Sequence, residues 1–234
     1  MVKIKILFKK IKIKALSILS RSKIIHFFEK MFSKTKSQIS SDDLHQIKTS
    51  AAKNLIIVAH PDDETIFCGD FLLNNDCFVV CLTHKNNIIR SADFTNVMNL
   101  SRSDFLMLNY PDASNGYINN WNKFEKSIYK DIISVILCKE WNKIITHNPY
   151  GEYGHIHHKK CSKLTRLICK NNNLTDRLYY FYYDYQKPLK NFESKLALLE
   201  IYRVNQPNAV KFLENTAKHE IIVFNQNYKK KKIN

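Results

Sequence analysis

The residues best able to do chemistry sit in two runs far apart in the chain. One is His60-Pro61-Asp62-Asp63-Glu64; the other is His147-Asn148-Pro149-Tyr150-Gly151-Glu152-Tyr153-Gly154-His155-Ile156-His157-His158. The first crowds an imidazole and three carboxylates together. Carboxylates this close repel unless a cation, hydrogen bonds or protonation relieves them, and a nitrogen-and-oxygen donor set suits a divalent metal such as zinc. Helix-dipole stabilisation accounts for a single acid at a helix start, less well for a His and three acids in one pentapeptide. In the second run, 3.6 residues per turn puts His155 and His158 on one helix face, with His157 turned about 100° from His158. Two of the chain's four glycines, Gly151 and Gly154, lie in this run. They point to unusual dihedrals or close backbone approach.

A catalytic zinc site takes three protein ligands and keeps a position for water. The first run can supply two ligands and the second run the third. Bound metal lowers the pKa of water from 15.7 to about 7, a free carboxylate can take the proton, and an imidazole can stabilise an oxyanion or protonate a leaving amine. Metal-assisted amide hydrolysis is the chemistry this describes. Zinc is the default, and Fe2+ or Co2+ fit the same donors. There is no Gly-x-Ser-x-Gly turn, and no cysteine has an evident base beside it.

The elements that must position these runs alternate between strands and helices. Leu55–Ala59 reads as a buried parallel strand, ended at His60 because Pro61 biases that residue away from helical dihedrals. A helix follows over Glu64–Asn74. Phe78–Thr83 is a second strand, Ala92–Ser103 a helix, Phe105–Leu108 a third strand, and Asn115-Gly116 a turn. A helix over Asn122–Trp141 precedes the strand Lys143–Thr146, which delivers the second run and a helix from His155 through Leu167. Tyr179–Tyr185 suits a further strand, and helices are expected over Ser194–Arg203 and Ala209–Lys218. This alternation predicts an α/β fold of Rossmann-like, three-layer type with a mainly parallel sheet, which binds ligands at the carboxyl ends of its strands.

A length of 234 residues suits one such domain with an extension. The formal charge of +16 is concentrated at the ends: residues 1–36 hold eleven Lys or Arg against one Glu, and Lys229–Lys232 add four more. The body between is nearly neutral, so the composition gives no reason to expect a specific nucleic-acid partner. Within residues 1–32, Ile4, Phe8, Ile11, Ala15 and Ile18, then Ile24, Phe28 and Phe32, recur at helical spacing among lysines. That pattern fits either a basic amphipathic helix on an anionic membrane surface or a solvated leader. Residues 33–54 read as a linker, so residues 1–52 form the extension, 53–226 the domain and 227–234 a basic tail. The six cysteines form no Cys-x-x-Cys pair and no secretory signal stands out, which predicts reduced, mostly buried thiols in a cytoplasmic, at most membrane-peripheral, protein.

The motifs Ala59-His60-Pro61-Asp62-Asp63-Glu64, Thr146-His147-Asn148-Pro149 and Gly151-Glu152-Tyr153-Gly154-His155-x-x-His158, in this order and separation, resemble the LmbE-like or PIG-L de-N-acetylases of N-acetylglucosaminyl compounds. The resemblance covers roughly Lys53 to Glu220. It implies zinc held by His60, Asp63 and His158, with Asp62 as general base and His155 as oxyanion stabiliser or acid. Arg90 and Asp112 resemble the family's substrate-contacting Arg and Asp. The implied substrate is an N-acetylated amino sugar in a glycolipid, glycoside or glycan precursor.

There are departures from the family pattern. Family members often have Pro-Asp where this chain has Ile156-His157, which makes His157 a rival ligand, and the usual Gly after the second strand's Thr is replaced by His84-Lys85. His147 is expected to fix its loop, Glu64 to orient the first loop or cap its helix, and Cys161 to pack in the core. Two other readings are an amidase for non-sugar N-acyl substrates and a non-catalytic protein that binds membrane or nucleic acid through its basic ends.

Overall fold

The computed structural model describes residues 36–114, 117–190 and 192–228. Among the described residues the first elements are α1 (Ser41–Thr49), β1 (Asn54–Val58), α2 (Asp63–Asn74), β2 (Cys77–Thr83), α3 (Ile88–Ser101) and β3 (Asp104–Tyr110). A small hairpin of β4 (Ala113–Ser114) and β5 (Tyr117–Ile118) leads to α4 (Glu125–Ile136), β6 (Lys143–Thr146) and α5 (Ile156–Asn171). The chain continues through β7 (Leu178–Tyr183), α6 (Phe192–Asn205), α7 (Pro207–Ala217), β8 (Glu220–Phe224) and the single turn α8 (Asn225–Tyr228).

The six long strands form one sheet in the order β3-β2-β1-β6-β7-β8. All neighbours are parallel except β7 and β8. β1 lies in the interior with every residue buried, which is why its sequence is a continuous apolar run and not an alternating one. Its side chains nonetheless divide by the period of two. Leu55, Ile57 and Ala59 meet α1, α4 and α5 on one face; Ile56 and Val58 meet α2, α3, α6 and α7 on the other. The result is the expected α/β three-layer arrangement.

The stretch read as a linker is different. It contains α1, started by a capping box in which the Ser40 hydroxyl accepts the Asp43 N–H and the Asp43 carboxylate accepts the Ser40 N–H. Ile47 of α1 is fully buried, and the Ser37 hydroxyl and Gln38 N–H both donate to the buried Asp131 carboxylate. The packed fold therefore begins near Ser37, ahead of the boundary expected at Lys53. β8 and the β4-β5 hairpin also go beyond the expected elements. The proposed basic helix within residues 1–32, the turn at Asn115-Gly116 and the tail Lys229–Lys232 lie outside the described residues. No described helix is long and apolar enough to cross a membrane. All six cysteines are free thiols, and five of them are buried.

Candidate metal centre

From β1 the chain steps to β2 and β3 on one side, and later returns to β6 on the other. The crevice between the carboxyl ends of β1 and β6 is thus the switch point where open α/β sheets bind ligands. His60 follows β1, and His147 directly follows β6. The loops here depart from ordinary backbone. Of the six non-glycine residues with positive φ among the described residues, four lie around this crevice: Asp62 (109°), His84 (66°), Trp121 (57°) and Glu152 (53°). Such conformations cost on the order of 1–3 kcal/mol each and persist only where surroundings enforce them. Gly151, at φ 70°, could not carry a side chain, because a Cβ there would stand 2.7 Å from the His155 carbonyl oxygen.

Three donor atoms meet at this point. His60 Nδ1 lies 3.2 Å from Asp63 Oδ2, His158 Nε2 lies 3.3 Å from Asp63 Oδ1, and the two ring nitrogens are 3.3 Å apart. Ligands sharing one tetrahedral zinc at 2.0–2.2 Å are separated by about 3.3–3.6 Å, so the spacing fits. The protonation of the rings decides whether these contacts are hydrogen bonds. His158 Nδ1 lies 2.7 Å from Glu152 Oε2, so its proton is held on the side away from Asp63. His157 points its Nε2 at the Asn119 carbonyl, which can only accept, and burial lowers His157 to about 4, leaving it neutral with Nδ1 as acceptor. That acceptor lies 2.9 Å from His60 Nε2, which must then carry the His60 proton. With both rings neutral, His60 Nδ1, His158 Nε2 and the Asp63 carboxylate are three lone-pair donors facing one another.

Such a set calls for positive charge, which in the metal-free protein is supplied by protons on the rings and in a loaded site would be supplied by the ion. Burial pushes His60 and His158 down, but Asp112 and Asp63 beside His60, and Asp63 beside His158, raise both above the ordinary histidine range. Burial likewise pushes Asp63 up, and His158 and His147 outweigh it, holding Asp63 well below the usual carboxylate range. The residues fit a divalent cation.

Two other His and carboxylate groups are close enough to be considered. In Asp63, His147 and His158, the His147 Nε2 already accepts the Ala59 N–H at 3.0 Å, and its Nδ1 faces Glu152 Oε2 at 2.9 Å. His147 thus ties β1 to the second loop. In His60, Asp112 and His157, the nitrogen of His157 is taken by the proton of His60. Glu152 gathers the second loop, accepting from His147, His158 and the Asn148 N–H. It was not singled out from the sequence, and its place inside the Gly-Glu-Tyr-Gly run was the one available signal.

The remaining candidates surround the donors. Asp62 is buried, and burial together with the charge of Asp63 pushes it up to about 8. An Arg90 terminal nitrogen donates to the Pro61 carbonyl at 2.5 Å and lies 3.6 Å from the Asp62 carboxylate. The buried Arg90 Nε has no partner among the described residues. Asp112 lies 3.4 Å from His60 Nε2 and 3.0 Å from His84 Nε2, which places it beside the donor set as well as at the opening. His155 Nδ1 accepts the His157 N–H at 3.3 Å, and a ring nitrogen of His155 stands within 4.8 Å of those of His60 and His158. Glu64 is buried in the first turn of α2 and accepts from the Asp62 N–H, the Thr65 hydroxyl and the Tyr202 hydroxyl. Tyr202 lies on α6, and nothing in its sequence surroundings signals this contact. Cys161 is packed in the core, its Sγ 3.3 Å from the Thr146 hydroxyl.

Two comparisons place the chain among known proteins. The chain is 34% identical over 150 residues to Uncharacterized protein L374 of Acanthamoeba polyphaga mimivirus, an alignment covering 57% of this chain and 63% of that relative. Residues 55–169, which span both loops and every donor described above, match the family described as GlcNAc-PI de-N-acetylase. That segment is similar to the PIG-L family.

Proposed function

We propose that the protein is a zinc-dependent hydrolase that removes the acetyl group from an N-acetylated amino sugar. The observation carrying this reading is the convergence of His60 Nδ1, His158 Nε2 and the Asp63 carboxylate at 3.2–3.3 Å, beside the buried Asp62. His60, Asp63 and His158 are the proposed ligands. When bound, the ion supplies Lewis acidity, activating water and polarising the amide carbonyl. Asp62 accepts the proton of the attacking water, and its raised basicity suits that task better than a solvated carboxylate would. His155 is lowered to about 3 by burial and then by His60, so at neutral pH it is uncharged. With Nδ1 accepting from the backbone, its proton sits on Nε2, a donor available to the carbonyl oxygen as negative charge develops there. As the C–N bond breaks, the proton taken by Asp62 goes to the departing amine, giving acetate and a free amino sugar.

The sugar assignment is supported by the family description and by the rim of the crevice. Tyr150 and Tyr153 are 61% and 51% exposed on the loop after β6, and the Tyr153 ring lies against His155 and His158. Aromatic faces of this kind pack against sugar rings and apolar aglycones. The Arg90 side chain, 21% exposed beside Asp62, suits a substrate hydroxyl. The test is acetate release from a panel of N-acetylglucosaminyl compounds by the full chain. Turnover abolished by chelation and restored by zinc supports the reading. Turnover of non-sugar N-acyl amides alone would replace the substrate class, and none on any amide would end the reading. We also propose that residues 1–36 favour anionic membrane surfaces; co-sedimentation with anionic vesicles at physiological salt, lost on removing those residues, is the expected result.

A further inference from the structure

We propose that His157 is a positioning residue for the metal, fixing the His60 ring so that Nδ1 faces Asp63 and His158. This rests on the metal-site reading above. His157 is fully buried and held on three sides. Its ring stacks on Trp121 with centroids 4.0 Å apart and planes 4° from parallel. Its Nε2–H donates to the Asn119 carbonyl, and its Nδ1 accepts from His60 Nε2 at 2.9 Å. The orientation of His60 is thereby set from behind, because a ring whose Nε2–H is engaged by an acceptor in a fixed place has its other nitrogen aimed by geometry.

The fixed place is built by one loop. Trp121 Nε1–H donates to the Pro111 carbonyl at 2.6 Å, the Asn119 N–H donates to the Asp112 carbonyl at 2.7 Å, and Asn119 Oδ1 accepts the Trp121 N–H at 2.9 Å. Pro111, Asp112, Asn119 and Trp121 thus hold one another and present the indole face, the Asn119 carbonyl and the Asp112 carboxylate together. Asp112 Oδ1 lies farther from His60 Nε2, at 3.4 Å, with its other oxygen held by His84. The nearest partner of His60 Nε2 is thus the His157 ring, with the carboxylate behind it. Metal-binding histidines are commonly held in this manner by a partner on the other ring nitrogen, and losing that partner weakens metal binding by roughly 10- to 100-fold.

The plain alternative is that His157 only packs against Trp121, which a phenyl ring would do as well. Zinc affinity, measured on the full chain by competition with a chromogenic chelator, separates the two. His157→Phe keeps the stack but neither accepts nor donates; His157→Gln can accept from His60 through its carbonyl and donate to Asn119 through its amide. The expected result is affinity reduced roughly 10- to 100-fold in His157→Phe and restored to within a few-fold of wild type in His157→Gln, with one zinc per chain in each. His157→Leu is measured alongside, so that the result does not hinge on one variant folding. Wild-type affinity in both His157→Phe and His157→Leu, with binding lost in His158→Ala, would overturn the role of His157 and leave the metal site standing. Equal weakening in His157→Phe, His157→Leu and His157→Gln would overturn it too, since acceptance by Nδ1 would then not be the cause. A wild-type chain that takes up no zinc would overturn the metal-site reading itself.

Discussion

The Tyr202 hydroxyl donates a 2.7 Å hydrogen bond to Glu64 Oε1, and through it α6 reaches the loop that carries Asp62. The other Glu64 oxygen accepts the Asp62 N–H at 3.1 Å, bracing a backbone held at φ 109°. A helix beyond the PIG-L segment therefore supports the proposed general base. Tyr202→Phe removes one partner of a buried carboxyl that burial raises to about 7. The expected outcome in steady-state kinetics is a fall in kcat of about tenfold with KM and zinc content unchanged, for a stability loss of about 1–2 kcal/mol. Unchanged kcat would separate Tyr202 from the site.

Asp62→Asn tests the base directly. The substitution keeps the size of the side chain and leaves His60, Asp63 and His158 in place, so zinc stoichiometry is expected to hold. Loss of a positioned base lowers turnover by about 10²- to 10⁴-fold. Acetate release near the wild-type rate would assign the base elsewhere.

Glu152→Gln tests the other supporting partner. Glu152 Oε2 takes the Nδ1 protons of both His147 and His158, and an amide cannot accept as strongly from two imidazoles. Zinc affinity is expected to fall about 10- to 100-fold, with the midpoint of thermal unfolding of the zinc-free protein lowered as well. Full affinity would show that His158 holds its orientation without this carboxylate.

Lys195→Met probes the packing that holds α2. Lys195 and Glu220 form a buried ion pair in which Lys195 also donates to the carbonyls of Ile66 and Ala217, while Glu220 accepts the N–H groups of Gly69 and Asp70. Gly69 is glycine because a Cβ there would stand 2.9 Å from Lys195 Cε. Removing one partner strands a buried charge, so urea unfolding is expected to show a loss of about 3–5 kcal/mol, much of it recovered in the double variant Lys195→Met/Glu220→Leu.

Much of this architecture was legible in the sequence, and the limits have physical causes. β1 and β2 read clearly because strands buried on both faces are continuous apolar runs, and Pro61 marked where the first must end. Gly151 and Gly154 marked the second loop because glycines are so scarce in this chain. α1 was hidden by its polar composition, although Ser40 and Asp43 carry the spacing of a capping box. β8 was missed because its short run, Glu220–Phe224, follows a helix closely and pairs antiparallel at the sheet edge. The supporting contacts were out of reach for another reason. Tyr202 and Glu64, or Asn119 and His157, are joined only by the folding of distant segments, and no local pattern encodes which carbonyl or hydroxyl will face a given ring. The position of His157 itself was readable from helix geometry, but not its service as an acceptor for His60.

Anomalous diffraction at the zinc edge from zinc-loaded crystals tests the central claim most directly. The account predicts one peak per chain at about 2.0–2.2 Å from His60 Nδ1, His158 Nε2 and an Asp63 carboxylate oxygen, the ordinary zinc bond lengths. A peak bound instead through His147 or His157, or no peak between the carboxyl ends of β1 and β6, would contradict it.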